Sequence, residues 1–590
     1  MKLSERGWIP FFVLVVGLPA FSYPLSWLPR SWAHFRFSIT VPWPEVVLAA
    51  ALLVSAVVIV RGQATSEAGG GDAGTMAVLW PVLLPLLAVM LSALVSTRFS
   101  EHSYFGLTLL PQLAGNLAIF LLAAHVANHY AARLCDWWIT TAVIIAANGL
   151  LRLGSEPEFI STVGNWDFLG AYLAASAVIA LSVGGWWRLL GTLVLFSAMW
   201  FCHSRGAWLA FGGTGVLYFL VCGNHFLRRW QARAIITLLL VATAGLLARP
   251  YILKQWQTDV RPMIWEATLR MIAVRPILGH GLGVYVVEYP RYRLPEYFLR
   301  PKSTNVTDHA HNELLETAAE QGIVGLATTL WLWGVVVWCG VRARRQSAGT
   351  DRLVITGLLG AVLVLMLHGL VDVDLRYLPN ESLLWLLMGL VVGADATAGQ
   401  ARFAIRSQPA RWCVAAVCLL LGIWCAVTAV ARPIIADWRD REARLAEENG
   451  DFQAAAQFAT DALLLQPFRL STRYLLAGVL SRLPAPQGRD AAIDECLRIE
   501  ELSPDYADVT YNLGQLYLMA NRPADALPRF RRAVEIDPYD ANRHVALAVA
   551  LHGVGRNDEA VKELDRALQL QPNLPGTQEL RQELRKEGVH

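Results

Sequence analysis

Residues 309–325 read HAHNELLETAAEQGIVG, and the way this stretch divides sets the architecture. Leu314, Leu315, Ala318 and Ala319 recur on one side of a helix, with Glu313, Glu316 and Glu320 towards the other. Gly322 ends that helix, and the apolar run 322–341 that follows is long enough to cross a bilayer. The pattern predicts a short amphipathic helix at a membrane surface leading directly into a span. Its plain reading gives Asn312 a capping role and leaves the glutamates solvated.

Outward from this stretch the chain is dominated by similar apolar runs. Of its 590 residues 55% are hydrophobic and 16% charged, against roughly 25% charged in soluble proteins. Candidate spans are 8–28, 43–60, 76–96, 106–128, 137–153, 166–184, 188–203, 207–224, 234–249, 322–341, 352–371, 378–394 and 411–431. The first lacks a small-residue cleavage site and reads as an uncleaved span. The net charge of +3 gives no reason to expect a nucleic-acid partner, and the 8 cysteines form no CxxC pair, so neither zinc nor a disulfide framework is expected.

Basic loops fix the orientation. Arg228, Arg229 and Arg233, then Arg342, Arg344, Arg345 and Arg352, then Arg402, Arg406 and Arg411 mark cytoplasmic turns. The alternation places the long loop 250–321, the turn around Arg205 and everything after the last span on the extracytoplasmic side. A loop of that length is expected to carry function.

From Asp437 to His590 the composition changes, with 25 acidic and 19 basic residues. Pro504, Pro538 and Pro572 recur every 34 residues, with Pro467 before them, the period of tetratricopeptide repeats. Leu513, Gly514, Tyr517, Ala526, Phe530 and Ala533 fill the helix-contact positions of one unit, and Leu547, Ala548, Leu551, Ala560, Leu564 and Ala567 those of the next. The fold expected is all-α: a polytopic membrane domain of about 12–13 spans over 1–432, then an α-solenoid of about four repeats and a capping helix over 433–590.

Three extracytoplasmic segments carry residues suited to chemistry. His311 and Asn312 open the surface helix. Arg205, in SRGAWL, lies on the outer face against the positive-inside bias; an arginine snorkelling to headgroups is the bland alternative. In RPMIWEATLRMIAVRPILGHGLG (261–283), Arg261, Arg270 and Arg275 punctuate an amphipathic helix with Met263, Ile264, Ala267, Met271 and Ile272 as its apolar positions. Gly279, Gly281 and Gly283 follow without the βαβ context of a dinucleotide loop. Outer-face arginines suit a pyrophosphate, which the guanidinium fork binds bidentately; a basic helix lying on anionic lipid accounts for them equally well.

Together these segments resemble the bacterial O-antigen ligase and polymerase family of membrane glycosyltransferases: His311-Asn312, nine residues, then Gly322-x-x-Gly325; the R-x-x-x-L of Arg205 to Leu209; and the loop from Arg261 through Pro276 and Gly279-x-Gly281. Gly164-Asn165 and His368 to Leu375 are weaker echoes. The resemblance covers roughly residues 1–430 and implies an enzyme of the bacterial inner membrane. It would move a glycan from an undecaprenyl-diphosphate donor to an acceptor on the periplasmic face, inverting the sugar, with no metal and no cofactor. Arg205 and Arg261 would hold the diphosphate, with Arg270, Arg275, Asn312 and Glu320 as further substrate contacts, and His311 would be the base; Asp308 and His309 would be helpers at most. The acceptor is lipid A core, another surface glycan or, in a protein O-oligosaccharyltransferase, a protein. A polysaccharide polymerase shares the chemistry, and a transporter or a repeat-displaying scaffold is the reading from another class. Membrane lipid and a protein bound by the repeats complete the expected partners.

Overall fold

The computed structural model describes residues 46–55, 80–153, 161, 163, 165–222, 259–300, 303, 306–395 and 408–587. Among these residues every regular element is a helix. Seven of the described helices are long and apolar enough to cross a membrane, so the chain is a multi-pass membrane protein. The expected spans 8–28 and 234–249 lie outside the described residues. Those expected at 106–128 and 137–153 are the two halves of one helical run, Ser103–Leu151, of 49 residues. The run holds two apolar stretches, Ser103–Ala127 and Tyr130–Leu151, each long enough to cross a bilayer.

The chain divides into two compact units. One contains Met1–Thr243, Arg275–Gly283 and His311–Ile434; the other contains Ala244–Val274, Val284–Ala310 and Ile435–His590. The long loop is therefore divided: its centre belongs with the spans and its flanks with the repeats. Helical structure continues from Gln408 through a π-helical turn at Ala426–Ala431 to Glu448.

Small residues hold the membrane unit together. Helix Trp166–Val183 buries Ala171, Ala174, Ala175, Ala177 and Ala180. A Cβ on Gly357 would lie 3.1 Å from the Ile179 main chain, and one on Gly360 would lie 2.4 Å from Val178. Helix Leu378–Gly393 approaches Ser103–Leu151 just as closely: a Cβ on Gly389 would lie 2.3 Å from the Phe120 carbonyl oxygen. In lipid, where apolar surface gains little by leaving its solvent, such contact and interhelical hydrogen bonds drive association. Trp138 Nε1 donates to Ser176 Oγ at 2.8 Å, and Ser382 Oγ donates to Asn116 Oδ1 at 2.9 Å.

The second unit contains the repeats. Helices Phe452–Leu465, Gln487–Leu502, Pro523–Ile536 and Asn557–Leu570 each end two residues before one of the periodic prolines, which cannot continue a helix. Ala455, Ala492, Ala526 and Ala560 occupy equivalent buried positions, as do Ala462, Ile499, Ala533 and Ala567. Gly514 is required by packing, because a Cβ there would lie 2.8 Å from the Phe530 ring. Thr577–Glu587 closes the array.

His544 adds a pH-sensitive contact inside the array. Burial disfavours its charged form, but Glu563, 2.7 Å from Nδ1, and the Pro538 carbonyl, 3.1 Å from Nε2, outweigh burial and raise its pKa. A pKa raised by folding contributes stability that is full below the unfolded value of about 6.5 and is lost as pH rises through the folded value. A fragment spanning 433–590 is expected to be helical by circular dichroism and to melt higher at pH 6 than at pH 8.5, with His544→Gln shrinking the difference. An unfolded fragment would remove the independent-array reading, and an unchanged difference the His544 contribution.

Candidate active site

One end of the membrane unit is assembled where helix Glu313–Gln346 begins. Its N-cap is Asn312, whose Oδ1 accepts from the Leu315 N–H at 3.0 Å. The same side chain donates from Nδ2 to the Leu370 carbonyl at 2.8 Å, and the Glu313 N–H donates to the Gly369 carbonyl at 2.7 Å. The helix start is thus stitched to the segment leaving span Gly349–His368. One residue earlier, His311 has a φ of +51°, a left-handed backbone uncommon outside glycine.

His311 is half-buried and faces Asp372. Its Nδ1 lies 3.1 Å from Asp372 Oδ1, and the Val373 N–H donates to that same oxygen at 2.8 Å. A carboxylate fixed in this way selects the tautomer with the proton on Nδ1, which leaves Nε2 as the acceptor. Beneath this pair, His368 and Asp374 approach to 3.0 Å with both side chains fully buried. This close pair is at ion-pair distance, and no other side-chain or main-chain group is hydrogen-bonded to the side-chain polar atoms of either residue.

The glutamates of the surface helix are not solvated, contrary to the amphipathic reading. Arg376 Nη1 donates to Glu320 Oε2 at 2.8 Å, its Nε donates to Glu313 Oε2 at 3.1 Å, and Glu316 Oε1 lies 3.6 Å away. Burial works against the charge on Arg376, but Glu313, Glu320 and Glu316 outweigh it and raise its pKa. Removing the arginine would strand buried carboxylates, a loss of about 3–5 kcal/mol where a buried pair is broken.

Gly322 interrupts the helix at φ +67°, ψ −167°, and the loop's centre is knit into this break. His280 and Gly281 N–H groups donate to the Ala319 and Glu320 carbonyls at 3.0 and 2.8 Å, and the Ile323 N–H donates to the Pro276 carbonyl at 2.8 Å. A Cβ on Gly279 would lie 2.3 Å from the Glu320 carbonyl, and one on Gly322 would lie 2.1 Å from that of Ile277. Gly279 and Gly322 thus allow backbone to lie on backbone.

Residues 190–330 match the O-antigen ligase family, and residues 487–541 and 518–584 match tetratricopeptide repeat families. The chain carries an O-antigen ligase domain followed by tetratricopeptide repeats. No curated protein matches it. Similar solved structures include MamA from Desulfovibrio magneticus, at 16% identity, covering 26% of this chain and 85% of that one with a TM-score of 0.25. Another is a thermophilic tetratricopeptide repeat protein of Thermus thermophilus, at 17% identity, covering 30% and 91% with a TM-score of 0.22.

The ligase match takes in Arg205, Arg261, Arg270, Arg275, His311, Asn312 and Glu320, and ends before His368, Asp372, Asp374 and Arg376. Within the membrane unit, Arg205 is exposed at the start of helix Arg205–Cys222, where buried Ser204 accepts from the Ala207 N–H at 3.3 Å. A Cβ on its neighbour Gly206 would lie 2.9 Å from His368 Nε2. Ligand-type atoms of His368, Asp372 and Asp167 lie within 4.8 Å of one another, so the chain around Arg205 reaches His311 through His368 and Asp372. Asp167, His368 and Asp372 are thus close enough together to hold a cation. Arg275 forms an ion pair with Glu101. Arg261 and Arg270 belong to the other unit; the Arg261 N–H donates to Asp259 at 3.0 Å, and Arg270 pairs with Glu266 at 2.7 Å on an exposed face.

If Asp372 sets the His311 tautomer, Asp372→Asn should leave the fold intact and lower glycan transfer by roughly 10²–10⁴-fold, the range of an acid–base contribution. Transfer assays on purified, correctly inserted protein would check this, and near-normal turnover would show that His311 acts without Asp372.

Proposed function

We propose that the ligase domain transfers a glycan from an undecaprenyl-diphosphate donor to an acceptor hydroxyl on the periplasmic face, by a single inverting displacement without a metal. The observation that carries the reading is the His311–Asp372 contact at the outer end of the spans, because it supplies an oriented general base where an acceptor from the periplasm would arrive.

The acceptor oxygen attacks the anomeric carbon and passes its proton to His311 Nε2. The bond from that carbon to the diphosphate oxygen breaks, and the electron pair leaves with the lipid diphosphate. Negative charge grows on the leaving oxygen, so cations placed there stabilise the transition state more than the ground state. Arg205 and Arg261 take that role, with Arg270 and Arg275 as further donor contacts. Asn312 and Glu320 act by holding the helix that presents His311, through Leu370 and Arg376. The tail is periplasmic, and the acceptor is lipid A core or another surface glycan.

His311→Ala should abolish transfer while leaving donor binding largely intact. Arg205→Ala and Arg261→Ala should weaken both, and lysine should rescue only in part, since an ammonium lacks the guanidinium fork. Chelator should leave turnover unchanged. A folded His311→Ala protein with normal transfer would end the base assignment, and a chelator effect reversed by a divalent cation would end the metal-free mechanism.

Reporters test the orientation: a fusion after Pro433 should behave as exported and one within 342–352 as cytoplasmic. The reverse at both sites would put His311 on the wrong face.

A further inference from the structure

The loop flanks and the repeat tail share one compact unit, and their contacts form a chain leading to Arg261. Helix Arg261–Val274 packs on the turns Tyr289–Tyr292 and Pro295–Leu299. Thr268 Oγ1 and Tyr285 Oη share a hydrogen bond at 2.7 Å, Trp265 Nε1 donates to the Ala310 carbonyl at 2.9 Å, and the Tyr285 ring stacks on Tyr289 with centroids 5.2 Å apart. Tyr285, Tyr289 and Tyr297 are among the most deeply buried large side chains of the protein.

The next contact is with the repeats. Ser503 Oγ, fully buried in the turn after helix Gln487–Leu502, donates to the Val287 carbonyl at 2.7 Å. The Arg293 guanidinium lies 5.7, 5.6 and 5.6 Å from the ring centres of Tyr289, Tyr297 and Phe298. Burial lowers its pKa, against the pull of Tyr289, Tyr297, Asp505 and Asp508. Asp505 and Asp508 are themselves anchored within the array, by Arg532 at 3.0 Å and Arg543 at 2.8 Å.

This turn differs from its counterparts. Asp505 and Ala507 have φ values of +68° and +47°, whereas the turns at Pro467, Pro538 and Pro572 contain no left-handed residue other than glycine. The turn is longer than those at Pro467 and Pro538, running over 503–508 against 466–469 and 537–540; strained backbone of this kind persists where its surroundings over-determine it, and here the loop segment is seated on it.

We propose that the repeat tail is a clamp for the chain's own loop: the Ser503–Asp508 turn holds the Tyr285–Leu299 segment and, through it, orients helix Arg261–Val274 for the donor. The orienting role rests on the donor-binding reading of Arg261. Ser503 and Arg293 are positioning residues, and the occupant of this part of the solenoid is the enzyme itself.

Hydrogen exchange on the full-length protein in lipid nanodiscs, read by mass spectrometry, tests the clamp without any substrate. Ser503→Val removes the donor at nearly constant shape, and Arg293→Met removes the cation from the loop side without touching the array. Each should speed exchange over 261–274 and 284–299 by roughly five- to tenfold, the loss of about one buried hydrogen bond or its equivalent. Peptides over 166–183 and 541–587 should be unchanged, which shows that spans and array remain folded. Transfer by the same variants should show a raised donor KM. Loop exchange unchanged in both variants would overturn the clamp. Faster loop exchange with unaltered transfer would keep the clamp and overturn the donor role of Arg261 instead.

Discussion

Arg376 is shared by Glu313, Glu316 and Glu320, and the end of the membrane unit where His311 lies depends on that sharing. Carboxylates outnumber the cation, in a place where water is largely excluded. Such a cluster tolerates little displacement, because lengthening any one contact leaves a buried charge less compensated. It ties the first two turns of the surface helix to the segment after span Gly349–His368. Asn312 adds a cap on one side of that junction and a bond to Leu370 on the other. The facing of His311 and Asp372 follows from these ties: the two side chains are delivered to each other by neighbours that make no contact with a reacting atom.

A second constraint is the close apposition of main chains at the helix break. With Gly322 outside helical geometry, the carbonyls of Ala319 and Glu320 are available to the loop, and His280 and Gly281 take them. The Ser96 hydroxyl also donates to the Glu320 carbonyl, at 2.7 Å, so a neighbouring span shares in the same break. The interruption that separates surface helix from span is also the place where the loop's centre is fastened, which leaves its flanks to find support elsewhere.

The parts of this arrangement that were legible in the sequence are those with short-range signals. The 34-residue proline period gave the repeats, and Gly322 after an amphipathic run gave the break. His311-Asn312 stood out as an abrupt polar start. The partners were hidden because they come from 55–65 residues further along the chain. Asp372 and Asp374 carry no signal beyond the weak echo at His368 to Leu375, and Arg376 carries none. Without it, Glu313, Glu316 and Glu320 read as a wet helix face. The pairing of Arg275 with Glu101 spans 174 residues and leaves no local trace, whereas that of Arg270 with Glu266 is an ordinary neighbour on a helix.

The position of the loop contact within the solenoid has an evolutionary consequence. Solenoid units interact chiefly with their neighbours, and the loop meets the array at the turn after Leu502, two helix pairs before the end. The acidic residues of that turn are anchored by Arg532 and Arg543, so it is what lies beyond the helix carrying Arg543 that can lengthen, shorten or change its exposed face while the geometry under the loop stays as it is. The array is thus divided into an inherited part, constrained by the fold it supports, and a distal part open to variation, where a lineage can acquire new associations without altering its chemistry.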